Sequence, residues 1–271
     1  MKRNILLLTG NGFIGRNLIK SLNKNKNKIS IFIKKENNFK IPKNIQVYKK
    51  NIFQIKEIQV KDSIIVLTTL NNTNKDFKSK FSLLLNKIKS SKPKKLILIS
   101  SVSVYSKKFN NYSRNCRIAE YECKKKFNNL IILRVGNIFG ELRTKPSYIE
   151  KIIISLVNKL DFVENKLNLI RSYIYIGEFC RAISKVINNK TIKTNIYNLS
   201  NKNYIFSSNQ VHKIVAECLN IKIFVKKKKI STHILKSIIK SNKFEKDFNF
   251  KFTNNFASNI KKIYKYYKKL S

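Results

Sequence analysis

Residues 5–15 read ILLLTGNGFIG: four aliphatic residues and a threonine, then glycines at 10, 12 and 15 in the spacing G-x-G-x-x-G. A run this short and apolar has the character of a buried strand, and the segment after it, FIGRNLIKSL (13–22), has the pattern of a helix. Glycines at such a junction let the chain turn tightly and bring backbone N–H groups against a pyrophosphate at the helix N-terminus, where the helix dipole favours negative charge. Three of the chain's six glycines stand here. The stretch therefore reads as a dinucleotide-binding turn, with Gly10, Asn11, Gly12, Phe13, Ile14 and Gly15 as candidate cofactor contacts.

Outward from this turn, the runs ISIFI (29–33), IQVY (45–48), SIIVLTT (63–69), KLILIS (95–100) and LIILRV (130–135) are short and rich in Ile, Leu and Val, as buried parallel strands are. Helical patterns at 76–88 and 112–127 fall between them. The alternation predicts an α/β fold, a doubly wound parallel sheet of the Rossmann type. Thr68, near the end of the fourth run, joins the candidate cofactor set. At the end of the second run, where an NAD site usually offers an acid to the adenosine ribose, the chain has Lys34 and Lys35. A cation there would neutralise a 2′-phosphate, which tilts the choice between NADP and NAD toward NADP, although lysine is common everywhere in this chain.

Lys and Arg number 58 against 14 Asp and Glu, a formal net charge of +44, and only eight of the 58 are arginine. One reading is an electrostatic footprint for nucleic acid, which would gather cations on one face with arginine forks and aromatics. The other is a compositional background, since Lys, Asn and Ile crowd every segment alike. The scarcity of arginine, the residue suited to bidentate phosphate and base recognition, favours the second reading and no specific nucleic acid partner. The longest lysine run, Lys226 to Lys229, is short. Cys116, Cys123, Cys180 and Cys218 form no C-x-x-C pair, and His212 and His233 are isolated, so no metal site is expected. The apolar start is too short for a signal peptide, and no run approaches the ~20 apolar residues of a membrane span, so a cytoplasmic protein without membrane contact is expected.

The order of later motifs carries a resemblance: SSVSVY (100–105), Tyr112, LRVGNIFG (133–140), IRSYIYIGEFCRAI (170–183), YNLSNKNYIFSSNQVHKIVAECL (197–219) and FEKDFNFKFTNNFASNIKKIYKYY (244–267). Over nearly the whole chain this succession resembles the extended short-chain dehydrogenases/reductases, the NAD-dependent epimerase/dehydratase family acting mainly on nucleotide sugars. The resemblance implies a Rossmann domain over 1–140 and a smaller C-terminal substrate lobe over 141–271, some segments of which return to the first domain. It implies a nucleotide-sugar substrate and, as is often so in the family, a homodimer. It makes Tyr112 the acid/base and Ser101 the catalytic hydroxyl that bonds the reacting sugar oxygen. Asn137 is matched to a substrate contact, Arg171 and Tyr173 to an R-x-Y near the nucleotide diphosphate, and Asn51 to a position that contacts adenine.

Two departures stand out. The family has a lysine four residues after the tyrosine, where it lowers the phenol pKa and bonds the nicotinamide ribose; here that residue is Cys116. With a neutral neighbour, Tyr112 is expected near its ordinary value of about 10. Arg117 falls off the i, i+4 face and is not expected to stand in for the lysine. The substrate loop is also short, with only Ser106 to Asn111 between Tyr105 and Tyr112. Three readings follow: an NAD(P)-dependent epimerase, reductase or dehydratase of a nucleotide sugar; a non-catalytic dinucleotide-binding member; and, third, a basic nucleic-acid-binding protein on this fold.

Overall fold

The computed structural model describes residues 3–24, 27–33, 39–53, 62–68, 76–106, 110–163, 168–189, 195–226 and 234–271. The chain divides into two compact units, Met1–Val135 with Cys180–Asn198, and Gly136–Phe179 with Leu199–Ser271.

The first unit is built on strands β1 (Asn4–Leu7), β2 (Lys28–Phe32), β3 (Gln46–Tyr48), β4 (Ile64–Thr68), β5 (Lys95–Ser101) and β6 (Leu130–Val135), with helices α1 (Phe13–Asn23), α2 (Phe77–Ser90) and α3 (Asn111–Lys126) between them. In the seven-stranded sheet, whose order from the far edge is β6, β5, β4, β1, β2, β3 after the late strand β10 (Asn195–Leu199), strand order reverses at β1 and β4. The pairs β1–β2, β1–β4, β2–β3, β4–β5 and β5–β6 are all parallel. This is the doubly wound topology, in which ligands sit beyond the carboxyl ends of the strands at the point of reversal. Leu6, Leu96, Leu98, Leu130 and Ile132 pack in one cluster with Phe77, Phe81, Leu84, Leu85 and Ile88 of α2 and Ala119 and Cys123 of α3. The α2 positions repeat at helical spacing, which is why this polar-looking, lysine-rich segment forms a helix with one dry face. Lys95 is a charged residue in this core: its ammonium donates to the carbonyls of Val186 and Asn189, both at 2.7 Å, where α5 (Ile176–Asn188) ends. Burial holds its pKa down at about 8.

The second unit centres on β9 (Asn168–Tyr175), which pairs antiparallel with β11 (Ile205–Ser207) and parallel with β7 (Asn137–Phe139) and β13 (Ile234–Ser237). A small pair, β8 (Phe162–Val163) with β12 (Val225–Lys226), lies apart from it. Helices α4 (Tyr148–Val157), α6 (Ser208–Leu219) and α8 (Phe256–Lys268) put Ile149, Ile153, Val211, Val215, Ile260 and Ile263 into one core. The short helix α7 (Asn242–Asp247) precedes α8. Buried Glu178 ties the segment before α8 down, accepting from the Thr253 backbone N–H at 2.7 Å and from the Asn201 amide at 2.8 Å.

Candidate active site

At the end of β1 the three glycines do different work. A Cβ on Gly10 would meet the Ile31 side chain at 2.7 Å, and one on Gly15 would run into the carbonyl oxygens of Thr9 and Gly10. Those two are glycine because strand, turn and helix close on each other. A Cβ on Gly12 would meet nothing within 4 Å. Gly12 is also the residue preceding α1, with no side chain capping the helix and no acidic residue in its first turn. The first turn of α1 thus carries no carboxylate, and a side chain at residue 12 would project into open space at the helix start. This is the arrangement a pyrophosphate fits.

Around the turn, Gly10 N–H donates to the Phe32 carbonyl at 3.0 Å, which sets the end of β2 beside it. The Thr9 and Thr68 hydroxyls bond each other at 2.6 Å across the ends of β1 and β4. Arg16, which sequence inspection did not single out, folds back from α1: its Nε donates to the Asn11 carbonyl at 2.8 Å and its guanidinium lies 5.5 Å from the Phe39 ring centroid. Phe13 and Ile14 are half-buried at the helix start. Asn51 uses its amide oxygen to accept the Phe53 N–H at 3.2 Å, an Asx turn that fixes the side chain and leaves acceptor capacity on the same oxygen. Lys34, with Lys35, lies outside the described residues.

Ser101 is the last residue of β5, and its Oγ accepts the backbone N–H of Ser103 at 3.2 Å, capping the 3-10 turn Val102–Tyr105. Tyr112 enters from the first turn of α3, whose start is fixed by a reciprocal capping box: Ser113 N–H donates to Asn110 Oδ1 at 2.8 Å and Asn110 N–H to Ser113 Oγ at 3.2 Å. The structure brings these two predicted residues together, Ser101 being among the groups that act on the Tyr112 hydroxyl. Although the tyrosine as a whole is 38% exposed, its hydroxyl is acted on by both Ser101 and Cys116. Burial of that hydroxyl pushes the phenol up to about 12; the neighbouring Cys116 sulfur adds to the rise and the bond from Ser101 opposes it. The expected value near 10 is therefore corrected upward, because desolvation was not visible in the sequence.

Cys116 lies one helical turn on and is fully buried. The Ser103 hydroxyl points at its sulfur, 3.9 Å away. Arg117 does not take the lysine's place: its Nε donates to the Val104 carbonyl at 3.0 Å and its Nη2 to that of Ser106 at 2.5 Å. Glu120, one turn beyond Cys116 on α3, serves the scaffold. It is buried and bidentate with Arg134, at 2.6 Å for the shortest contact, and accepts from the Ser100 hydroxyl at 2.6 Å. Arg134 also donates to the Tyr105 hydroxyl at 2.9 Å, which in turn donates to Asn198 at 2.8 Å. Arg16, Ser103 and Arg134 were missed because their roles come from tertiary approach and leave no spacing signature.

The remaining candidates belong to the second unit. Asn137 donates its amide to the Ser172 carbonyl at 3.2 Å on the neighbouring strand. Arg171 and Tyr173, two apart on β9, share one face of the strand. Tyr173 is 3% exposed and packs with Phe139 and Phe206. Its hydroxyl makes no hydrogen bond of ordinary geometry among the described residues. Burial raises the phenol and the charge of Arg171 draws it back.

Comparison with known proteins bears on the fold and the family. The model of the NAD dependent epimerase/dehydratase family matches residues 5–200. No curated protein matches the chain. Among solved structures, a UDP-N-acetylglucosamine 4-epimerase from Methanobrevibacter ruminantium M1, in complex with UDP-N-acetylmuramic acid, is 20% identical with a TM-score of 0.81 over 100% of both chains. A UDP-glucuronic acid 4-epimerase from Bacillus cereus, in complex with UDP-glucuronic acid and NAD, is 16% identical with a TM-score of 0.81 over 99% of this chain and 100% of that one. A dTDP-glucose 4,6-dehydratase from Bacillus anthracis str. Ames, in complex with NAD, is 18% identical with a TM-score of 0.79 over 98% of this chain and 97% of that one. At these identities the likeness is one of fold.

Proposed function

The chain belongs to the NAD dependent epimerase/dehydratase family, and from that premise we propose that it is an NAD(P)-dependent oxidoreductase or epimerase of a nucleotide-activated sugar in which Tyr112 acts as a proton donor. The observation that carries the reading is the Ser101–Tyr112 hydroxyl pair at the carboxyl end of β5, in the same unit as the open helix start at Gly12. The turn at Gly10–Gly15 would hold the cofactor's pyrophosphate on the N–H groups of α1. When bound, the nicotinamide gives and takes back a hydride. Ser101 would bond the reacting sugar oxygen and keep the phenol turned toward it. Tyr112, held protonated by burial, would give its proton to that oxygen as negative charge develops there. Donation needs the phenol and not the phenolate, so a raised pKa suits the reductive step and opposes the oxidative one. Arg171 and Asn137 would serve the nucleotide and sugar.

A second reading, a dinucleotide-binding protein without turnover, is favoured by Cys116 in the lysine position. Titration calorimetry with NAD and NADP, followed by turnover assays on UDP- and dTDP-sugars with the parent and Tyr112→Phe proteins, separates the two. Saturable cofactor binding with turnover that falls at least about a hundredfold in Tyr112→Phe is expected. Cofactor binding without any turnover decides for the second reading, and no dinucleotide binding at millimolar concentration ends both.

A further inference from the structure

We propose that Ser103 is a positioning residue for Tyr112, acting through the sulfur of Cys116, so that hydrogen bonding does here part of what a lysine at residue 116 would do by charge. The inference rests on the reading of Tyr112 as proton donor. Its basis is a closed set of four side chains in the first unit. Tyr112 and Cys116 stand one turn apart on α3, the Tyr112 hydroxyl is acted on by both Ser101 and Cys116, and the Ser103 hydroxyl reaches the Cys116 sulfur at 3.9 Å. The ring closes through the backbone, because Ser103 N–H donates to Ser101 Oγ at 3.2 Å.

The geometry assigns each group a distinct part. Cys116 has no exposed surface, so its sulfur is confined to the partners the fold supplies, and a thiol sulfur is a weak acceptor that hydroxyls orient on without forming an ion pair. The Ser103 hydroxyl fixes that sulfur from the side of the 3-10 turn. Tyr112 approaches it from α3, with 38% of its surface exposed. The sulfur thus links the capped 3-10 turn to a partly exposed ring. A lysine in that position would orient the ring and favour the phenolate; the serine–cysteine pair orients it and favours the phenol, in keeping with a donor. Because Ser103 takes part in the Ser101 cap only through its backbone N–H, removal of its hydroxyl leaves the cap in place and tests the side chain alone.

The experiment is a double-mutant cycle on the full chain, read in two ways. In protein carrying tyrosine labelled with 13C at Cζ, the Tyr112 signal is assigned by its loss in Tyr112→Phe. Ser103→Ala should move that signal at neutral pH in the parent, Ser103→Thr should restore it, and Ser103→Ala should leave it unmoved in a Cys116→Ala background. In turnover assays Ser103→Ala should lower kcat about three- to tenfold with KM unchanged, the scale of one neutral hydrogen bond, and should have no further effect once Cys116 is alanine. No movement of the signal, or an equal movement with and without the sulfur, overturns the proposal. If the parent turns over no nucleotide sugar, the donor reading fails by itself, and the NMR cycle still decides whether Ser103 positions Tyr112. Circular dichroism on each variant, with Ser103→Thr as the conservative control, excludes misfolding as the source of an effect.

Discussion

The phenol of Tyr112 decides the direction in which the site works best. Burial and the Cys116 sulfur push it to about 12, with Ser101 pulling back only partly. The donor form is therefore fully present below that pH, and the base form falls about tenfold for each pH unit below it. A reductive step should be flat in rate across neutral and mildly alkaline pH, whereas an oxidative step should climb about tenfold per unit over the same range. Cys116→Lys places a positive charge one turn from the phenol and lowers its pKa, so the oxidative limb should move to lower pH while the reductive plateau shortens from its alkaline end. Initial rates in both directions over a pH series check this. An oxidative limb that stays where it was in Cys116→Lys would show that the phenol is not the titrating group.

At the scale of elements, the turn between β1 and α1 separates what the fold requires from what a ligand requires. Gly15 faces backbone carbonyls, so Gly15→Ala should cost folding stability by roughly 1–3 kcal/mol, the usual penalty for overpacking. Gly12 faces open space, so Gly12→Val should fold with a melting temperature close to the parent's and lose dinucleotide affinity by more than tenfold. Thermal unfolding and titration calorimetry on the two variants test the contrast, and equal losses of stability would refute it. The contrast also marks what the sequence could convey. The strand–glycine–helix order was legible because each feature is local, and β5, β6, α2 and α3 fall within a few residues of the apolar runs that announce them. The second unit was not legible in this way. Its sheet joins strands from 137 to 237, and β8 and β12 have two residues each, too short to show alternation. The site was legible for Ser101 and Tyr112, which motif order brings together. It was not for Ser103 and Cys116, which meet only because a 3-10 turn and a helix place residues 13 apart in one pocket of side chains. Nor was it for the Glu120–Arg134 pair, which meets across α3 and β6.

Across the whole molecule, the charge balance bears on stability and on partners together. The formal charge of +44 already counts all 14 carboxylates, yet Glu120, Glu122, Glu150 and Glu178 are buried and unable to screen surface lysines. Glu120 and Glu150 are turned to the half-buried Arg134 and Arg143 and Glu178 to backbone and amide groups, so the outer surface is still more one-sided than the formal count implies. Like charges at such density destabilise the compact state by self-repulsion, and salt screens them over a Debye length of about 10 Å at 0.1 M. The melting temperature should therefore rise by several degrees as sodium chloride goes from about 20 mM to about 300 mM, with sulfate acting at lower concentration than chloride. The same field should draw RNA and DNA at low salt without regard to sequence and release them steeply as salt rises, since counterion release sets that affinity. No arginine cluster is needed for either effect. Thermal unfolding across a salt series, paired with fluorescence anisotropy on two unrelated RNA sequences, measures both. Melting that is indifferent to salt would contradict the self-repulsion, and tight binding to one sequence at physiological salt would replace the diffuse field by a dedicated surface.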